Sequence, residues 1–474
     1  MKKHYWFQWE RQATVHPILM CMEAWMEPMQ KAYGKSWPST VIIYNKDLVG
    51  WYTPWNELLE YGQYCIDLFI KPNNQQKFET DVKNQAKELE LLFVRLDSTN
   101  IKDISNGELQ LIYDEIRMRW TKWFVPGGLV EPIGHQGEKL LHKYLEGNPN
   151  ASKIFSLITT TTRDSFSKRE LQDLLKIAIA KKDDTDISKM LAQHAKKYYW
   201  VHNGYYSTEV LGVGFFEKEI SNAMSKYPDI AGQLKTLIEE PTKIRTEKFS
   251  VIQQLNLNEY ERNLVELLDL FAWYQDYRKE YTMRMLHYLN VILCEISRRT
   301  GFSEREIWYT LPSEIQQILS GKLENNIACE RMQHCLFHWD TKVLEHGVGD
   351  FASTKEKEIF HSISHKDDII EVTGMVASKG SVRGKARVTM SAKEAHLVQP
   401  GEILVTSMTT PDFVTAVKKA SAIVTNEGGV LCHAAVVSRE FGIPCIVGTR
   451  IATKIFKTGD MLEVDGELGV VRKV

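Results

Sequence analysis

The feature that most constrains this chain lies near its end, in residues 425–448, TNEGGVLCHAAVVSREFGIPCIVG. A β-branched stretch ends at Thr425, and Gly428 and Gly429 then allow a tight turn with close backbone approach. Small and apolar residues recur at helical spacing through CHAAVVSREF, so a helix is predicted to begin near Leu431. Gly442 stands where a helix stop belongs, and Pro444 follows it. His433 therefore falls in the first turn of a helix, behind two glycines. Unsatisfied backbone N–H groups and the positive end of the helix dipole converge there, a setting that suits an anion. A neutral imidazole nitrogen is a nucleophile toward phosphorus, and imidazole is largely neutral near pH 7. The phosphoramidate so formed is itself a reactive donor. Ala434 and Ala435 are small, and on this reading they leave room for an approaching partner site.

Around this segment short strands alternate with short helices. Strands are predicted at 370–377, 385–390, 402–407, 422–425, 444–448, 461–465 and 469–473, and helices at 392–398, 413–420 and 431–441. This pattern makes a compact α/β domain over residues 371–474. Residues 1–345 read as mostly helical. Apolar residues recur at helical spacing in 79–96, 167–179, 259–274 and 281–298. One stretch, 39–52 (STVIIYNKDLVGWY), has the β-branched character of a short hairpin. Between the two regions, 346–370 lacks a period and is expected to be a linker or hinge. The fold class is thus multidomain, a mostly α-helical N-terminal region followed by a compact α/β module.

The segment GGVLCHAAVVSREFGIPCIVGT closely resembles the phosphohistidine motif of the mobile, swivelling domain of PEP-utilising enzymes. That family contains PEP synthase, pyruvate phosphate dikinase and rifampicin phosphotransferase. The resemblance extends over the C-terminal domain: GMVASKGSVRG (374–384) is similar to its opening strand and turn, PGEILVTSMTTP (400–411) to its central strand and adjoining loop, and GDMLEVDGELG (459–469) to its closing strands. The resemblance implies that His433 is phosphorylated. It also implies that Gly428, Gly429, Thr409 and Thr410 lie about the phosphate. Many relatives carry Thr two residues before the histidine, a regulatory phosphorylation site in the plant dikinases. Here Leu431 stands there, so that mode of regulation is excluded. Phosphotransferase system enzyme I usually reads HTS where this chain reads HAA.

The family charges its histidine with an ATP-grasp module. Residues 1–345 contain neither GxxxxGK[ST] nor GxGxxG, and their helical character is unlike that many-stranded fold. The layout is similar to rifampicin phosphotransferase without its ATP-grasp domain, where the helical region binds the acceptor. The resemblance therefore implies a phosphotransferase component charged by a separate ATP-grasp subunit, with Mg²⁺ accompanying ATP on that subunit. This chain would pass the group to a small-molecule acceptor held by its helical region. The alternative is a non-catalytic phosphocarrier or regulatory subunit of a PEP synthase-like complex. Phenylphosphate synthase, a relative, divides its modules over subunits in this way.

Several further constellations bear on the acceptor side. Arg278, Arg284 and His287 lie on one predicted helix and are candidates to face an incoming phosphohistidine, although a solvated charged face is the commoner outcome. Aromatic residues crowd 5–9 (YWFQW) and 198–206 (YYWVHNGYY), as a pocket or as helix-packing core. Cys329, His334, Cys335 and His338 are of metal-ligating type, but their offsets do not share one helical face, and no metal site is predicted. His135 and His142 share a face without a third ligand. The chain has 59 Lys and Arg against 61 Asp and Glu, a net charge of -2. No global basic field invites nucleic acid. No apolar run reaches membrane-spanning length, and the N-terminus has no signal-peptide core. The 7 cysteines form no CxxC, which together predict a reducing, cytoplasmic setting.

Overall fold

The computed structural model describes the chain except residues 1–4, 149, 361–370, 391, 410–412, 428–432 and 450. The N-terminal part, to Phe360, is helical but built around a sheet. Its strands are β1 (Tyr5–Gln12), β2 (Thr40–Asn45), β3 (Leu48–Pro54), β4 (His334–Trp339) and β5 (Leu344–Val348), in the antiparallel order β1-β3-β2-β4-β5. Between β1 and β2 lie α1 (Val15–Trp25) and α2 (Glu27–Tyr33). After β3 the chain runs through α3 (Trp55–Phe69), α4 (Pro72–Ser98), α5 (Asn106–Phe124), α6 (Val130–Tyr144) and α7 (Ala151–Thr159). It continues through α8 (Phe166–Lys182), α9 (Ser188–Tyr198), α10 (Val213–Lys226), α11 (Ile230–Gln254) and α12 (Glu259–Arg299). Three short helices, α13 (Glu304–Ile307), α14 (Ile315–Leu319) and α15 (Asn326–Gln333), lead back to β4, and α16 (Gly349–Phe360) follows β5.

The two helices predicted at 259–274 and 281–298 are one helix of 41 residues. A capping box, Asn258 with Glu261, closes its N-terminus, and nothing between Tyr274 and Tyr281 breaks the period. The predicted hairpin forms as β2–β3. The rest of this sheet was not legible, because β1 and β4–β5 join the hairpin from other parts of the chain and carry polar residues among their apolar ones. In β2, Ile42 and Tyr44 enter the main core, while Val41 and Ile43 pack with Tyr5, Leu336 and Ala352 beneath α16. The expected linker 346–370 therefore starts later than its composition indicates. Its first residues complete β5, an edge strand, and the next form α16, which packs on β4 and β5.

The C-terminal module has an eight-stranded sheet in the order β6-β13-β12-β8-β9-β10-β11-β7. Its strands are β6 (Glu371–Thr373), β7 (Met375–Ser378), β8 (Ser381–Thr389), β9 (Ile403–Thr406), β10 (Ala422–Thr425), β11 (Cys445–Val447), β12 (Met461–Asp465) and β13 (Val470–Lys473). The central strands β8, β9, β10 and β11 run parallel, and the remainder pair antiparallel. Helices α17 (Val414–Val417), α18 (His433–Phe441) and α19 (Ala452–Ile455) connect them. Every residue of β9, β10 and β11 is buried, as expected for parallel strands covered on both faces.

Candidate functional site

The parallel strands β9, β10 and β11 deliver three loops to one end of the sheet, at their carboxyl ends, where open α/β sheets bind ligands. Backbone pairing runs on past the strands: Asn426 donates to the Thr406 carbonyl (3.0 Å) and Glu427 to that of Ser407 (2.9 Å). Thr449 donates twice to the Thr425 carbonyl, by N–H (3.0 Å) and by hydroxyl (2.9 Å). The Asn426 side chain links to α19 by donating to the Thr453 hydroxyl (2.6 Å) and accepting the Thr453 N–H (3.0 Å). The loop ends are thus fixed before the segment that carries the glycines.

His433 opens α18, as its sequence position predicts. Gly442 ends the helix with φ of +64°, a left-handed conformation that glycine adopts without strain. Thr409 is buried beside this end of the sheet. Gly428, Gly429 and Thr410, the other predicted phosphate contacts, lie outside the described residues. Ala434 and Ala435 are only 1% and 0% exposed. They do not face an incoming partner. Their small size instead lets α18 lie close against β7 and β11, which shares their core cluster through Cys445 and Val447.

This end of the sheet meets the N-terminal part at β1 and β3. The Glu427 carboxylate accepts the Ser407 hydroxyl (3.0 Å) and the backbone N–H of Glu10 on the edge strand β1. Lys454 on α19 donates to the Tyr52 hydroxyl on β3 (2.6 Å) and lies over the same ring (4.6 Å). Burial pushes the Glu427 carboxyl up, opposed by Ser407, Arg11 and the Glu10 N–H, while Glu131 adds to the rise.

Two charged groups act on Glu427, Arg11 on β1 and Glu131 in the first turn of α6, and Arg278 on α12 acts in turn on Glu131. The 3₁₀ turn Pro126–Leu129 shapes the surroundings of Arg278. Arg278 Nη1 donates to the Gly127 carbonyl (3.4 Å), and a Cβ on Gly127 would stand 2.9 Å from both its Cδ and its Nη1. The guanidinium lies over Phe124 at 5.5 Å, and its Nε has no hydrogen-bond partner. Burial pushes the Glu131 carboxyl up, against the pull of Arg278 and Arg11. Burial pushes Lys279 down, helped by Arg278. Glu131 is nonetheless only half-buried and Lys279 is exposed.

The three residues proposed on the acceptor side separate. Arg278 lies against Gly127 and Phe124. Arg284 forms a two-pronged ion pair with Glu90 and covers Phe93 (4.7 Å). His287 sits edge-on between Tyr199 (4.9 Å) and Tyr288 (5.0 Å), and burial pushes its pKa down. On a straight helix, Arg278 and His287 are about half a turn apart, so α12 presents them to opposite sides. Arg11, Glu131 and Glu427 carried weaker signals: an edge-strand position amid aromatics, an acid just after PGG, and the acid of the NEGG turn.

Strand alternation divides the remaining metal-type residues. Cys335 enters the core, and His338, on the opposite face, pairs with the Tyr5 hydroxyl (2.9 Å). His135 packs on Trp55 and His142 on Phe155. Among the described residues no group of three or more His, Cys, Asp or Glu is placed to hold a metal ion, and no helix is long and apolar enough to cross a membrane.

The geometry defines a helix-rich module joined to an α/β module in which His433 opens the helix that follows the parallel strand β10. Residues 398–469 match the family model for the PEP-utilising enzyme, mobile domain, so the C-terminal module is similar to that domain. A probable phosphoenolpyruvate synthase of Archaeoglobus fulgidus is 51% identical over 118 residues, covering 25% of this chain and 16% of that protein. The phosphoenolpyruvate synthase of Pyrococcus furiosus is 55% identical over 100 residues, covering 21% and 12%. The uncharacterized phosphotransferase YvkC of Bacillus subtilis is 28% identical over 283 residues, covering 58% and 32%. That last span exceeds the C-terminal module, so part of the likeness falls in the helical region. The chain spans less than a third of the length of each of these relatives, which are synthases and phosphotransferases.

Proposed function

We propose that this chain is a phosphotransferase component that carries a phosphoryl group on His433 and passes it to a small-molecule acceptor held by the N-terminal part. The observation that carries this reading is the docking of the loop before His433, through Glu427, on the edge of β1 beside Arg11. In this reading a phosphorylated imidazole at the start of α18 is the donor, and Arg11 and Arg278 supply charge that favours a transferring phosphoryl group. Gly428, Gly429, Thr409 and Thr410 would cradle the phosphate. A separate cytoplasmic ATP-grasp subunit, holding Mg²⁺ and ATP, charges His433. In this reading the C-terminal module swivels between that subunit and the N-terminal part.

The test mixes the full chain with a candidate ATP-grasp subunit and ATP labelled at the β and γ phosphates. Acid-labile label is expected on wild type and absent from His433→Ala. Equal labelling of the two would overturn the assignment. Label that forms on His433 but leaves for no acceptor would favour a carrier or regulatory subunit instead.

A further inference from the structure

We infer that the contact between Tyr52 and Lys454 is a reversible latch that holds the C-terminal module docked on the N-terminal part. Tyr52 is thereby a positioning residue, acting through Lys454 on the loop after β10. The inference concerns docking itself and stands whether or not His433 carries phosphate.

The first observation is what the two modules do not share. Among the described residues, four clusters of buried apolar side chains belong wholly to the N-terminal part. Two others belong wholly to the C-terminal module. No described cluster joins them, so the docked arrangement rests on polar contacts. Interfaces within a chain that lack a large apolar core leave relative motion as the default.

The second observation is the geometry of the contact that bridges them. Lys454 Nζ donates to the Tyr52 hydroxyl (2.6 Å) and stands 4.6 Å from the centre of the same ring. One ammonium group thus uses both the oxygen and the face of a single tyrosine. Both residues are half-buried, which strengthens a charge-assisted hydrogen bond and a cation–π contact relative to open surface. Each partner is backed by its own module. The Tyr52 ring packs against the apolar cluster that contains Val41, Leu336 and Ala352. It also lies over Gly50, where a Cβ would stand 2.9 Å from its Cε2, so the glycine leaves it room. On the other side, α19 buries Ala452 and Phe456 in its own core.

The latch reaches the loop by short steps. Thr453, next to Lys454, exchanges two hydrogen bonds with the Asn426 side chain (2.6 and 3.0 Å). The Asn426 N–H is held by the Thr406 carbonyl (3.0 Å), and the next residue, Glu427, accepts the Glu10 N–H of β1. Release of Lys454 should therefore loosen the contact at Glu10, although the two contacts are made by different strands.

The test measures hydrogen exchange of the Glu10 N–H in the full chain, whose rate follows the fraction of time the module is undocked. Tyr52→Phe keeps the ring and removes the hydroxyl, and it should speed this exchange about 10-fold. Lys454→Met removes the cation as well and should speed it by at least as much. The double variant should exchange no faster than Lys454→Met alone, because without the ammonium the hydroxyl holds nothing. Lys457→Met, at an exposed position of the same module, should match wild type. Lys454→Gln replaces Lys454→Met if that variant does not fold. Wild-type exchange at Glu10 in both single variants would overturn the latch. So would effects that multiply in the double variant, or an equal acceleration in Lys457→Met. Labelling of His433 is a separate measurement, so the latch and the carrier role can fail independently.

Discussion

Gly62 sits in the middle of α3 at normal helical geometry, where alanine would ordinarily be preferred by about 1 kcal/mol. The structure reverses that expectation. A Cβ at this position would stand 2.3 Å from the Pro132 carbonyl oxygen, 2.9 Å from its carbon and 2.8 Å from Gln136 Cβ. The first two are backbone atoms of α6, so no side-chain rotation relieves them, and α6 must retreat by about 1 Å to restore ordinary contact. Overpacking of this kind costs about 1–3 kcal/mol. Set against the propensity gain, Gly62→Ala should lose up to about 2 kcal/mol, a fall in Tm of up to roughly 4 °C. Gly134 in α6 is the matched control, because a Cβ there meets nothing within 4 Å. Gly134→Ala should gain up to about 1 kcal/mol. Calorimetry and urea unfolding of both variants provide the measurement. A rise in Tm for Gly62→Ala matching that of Gly134→Ala would refute the close approach of α3 and α6.

Two stability predictions accompany the tests of His433 and of the Tyr52–Lys454 contact. Burial lowers the pKa of His16 from 6.5 to about 3, aided by the Arg117 charge and opposed by the Thr310 carbonyl, so the folded imidazole stays neutral. The unfolded chain binds a proton there that the folded chain refuses, so this contribution to stability is intact above pH 6.5 and is lost as the pH falls below it. Between pH 7.5 and 5.5 wild type should lose about 1.4 kcal/mol more than His16→Gln, measured by urea unfolding, and equal losses would exclude the effect. Lys248 pairs with Asp269 (2.9 Å), both largely buried, and Asp269 also accepts the Thr162 N–H (3.3 Å). Lys248→Met should cost about 3 kcal/mol by stranding the carboxylate, and Lys248→Met with Asp269→Asn should recover much of it; a double variant as unstable as the single would contradict that account.

The site in the C-terminal module was legible because its information is local. A glycine pair, a small-residue helix and a Gly stop within residues 425–448 dictate the turn, the helix start at His433 and the stop at Gly442. Short strands at regular spacing placed most of the eight-stranded sheet. The two alanines after His433 show the limit of local reading: sequence gives their size, but only packing shows that it serves the helix–sheet contact.

The N-terminal half divides differently. Helical period located α4, α8 and the two ends of α12, since an amphipathic stripe is written into consecutive residues. The sheet at its centre was not, apart from the β2–β3 hairpin, because β1 and β4–β5 come to it from other parts of the chain. The charged groups around Glu427 lay beyond sequence for the same reason. Arg11, Glu131, Arg278 and Glu427 belong to four separate elements, and no local rule brings them together. Even on one helix, the side that Arg278 and His287 each face depends on what α12 packs against. Sequence by itself placed His433 at the start of α18; tertiary packing decided which elements lie beside that end of the sheet, because such contacts join residues that the chain keeps far apart.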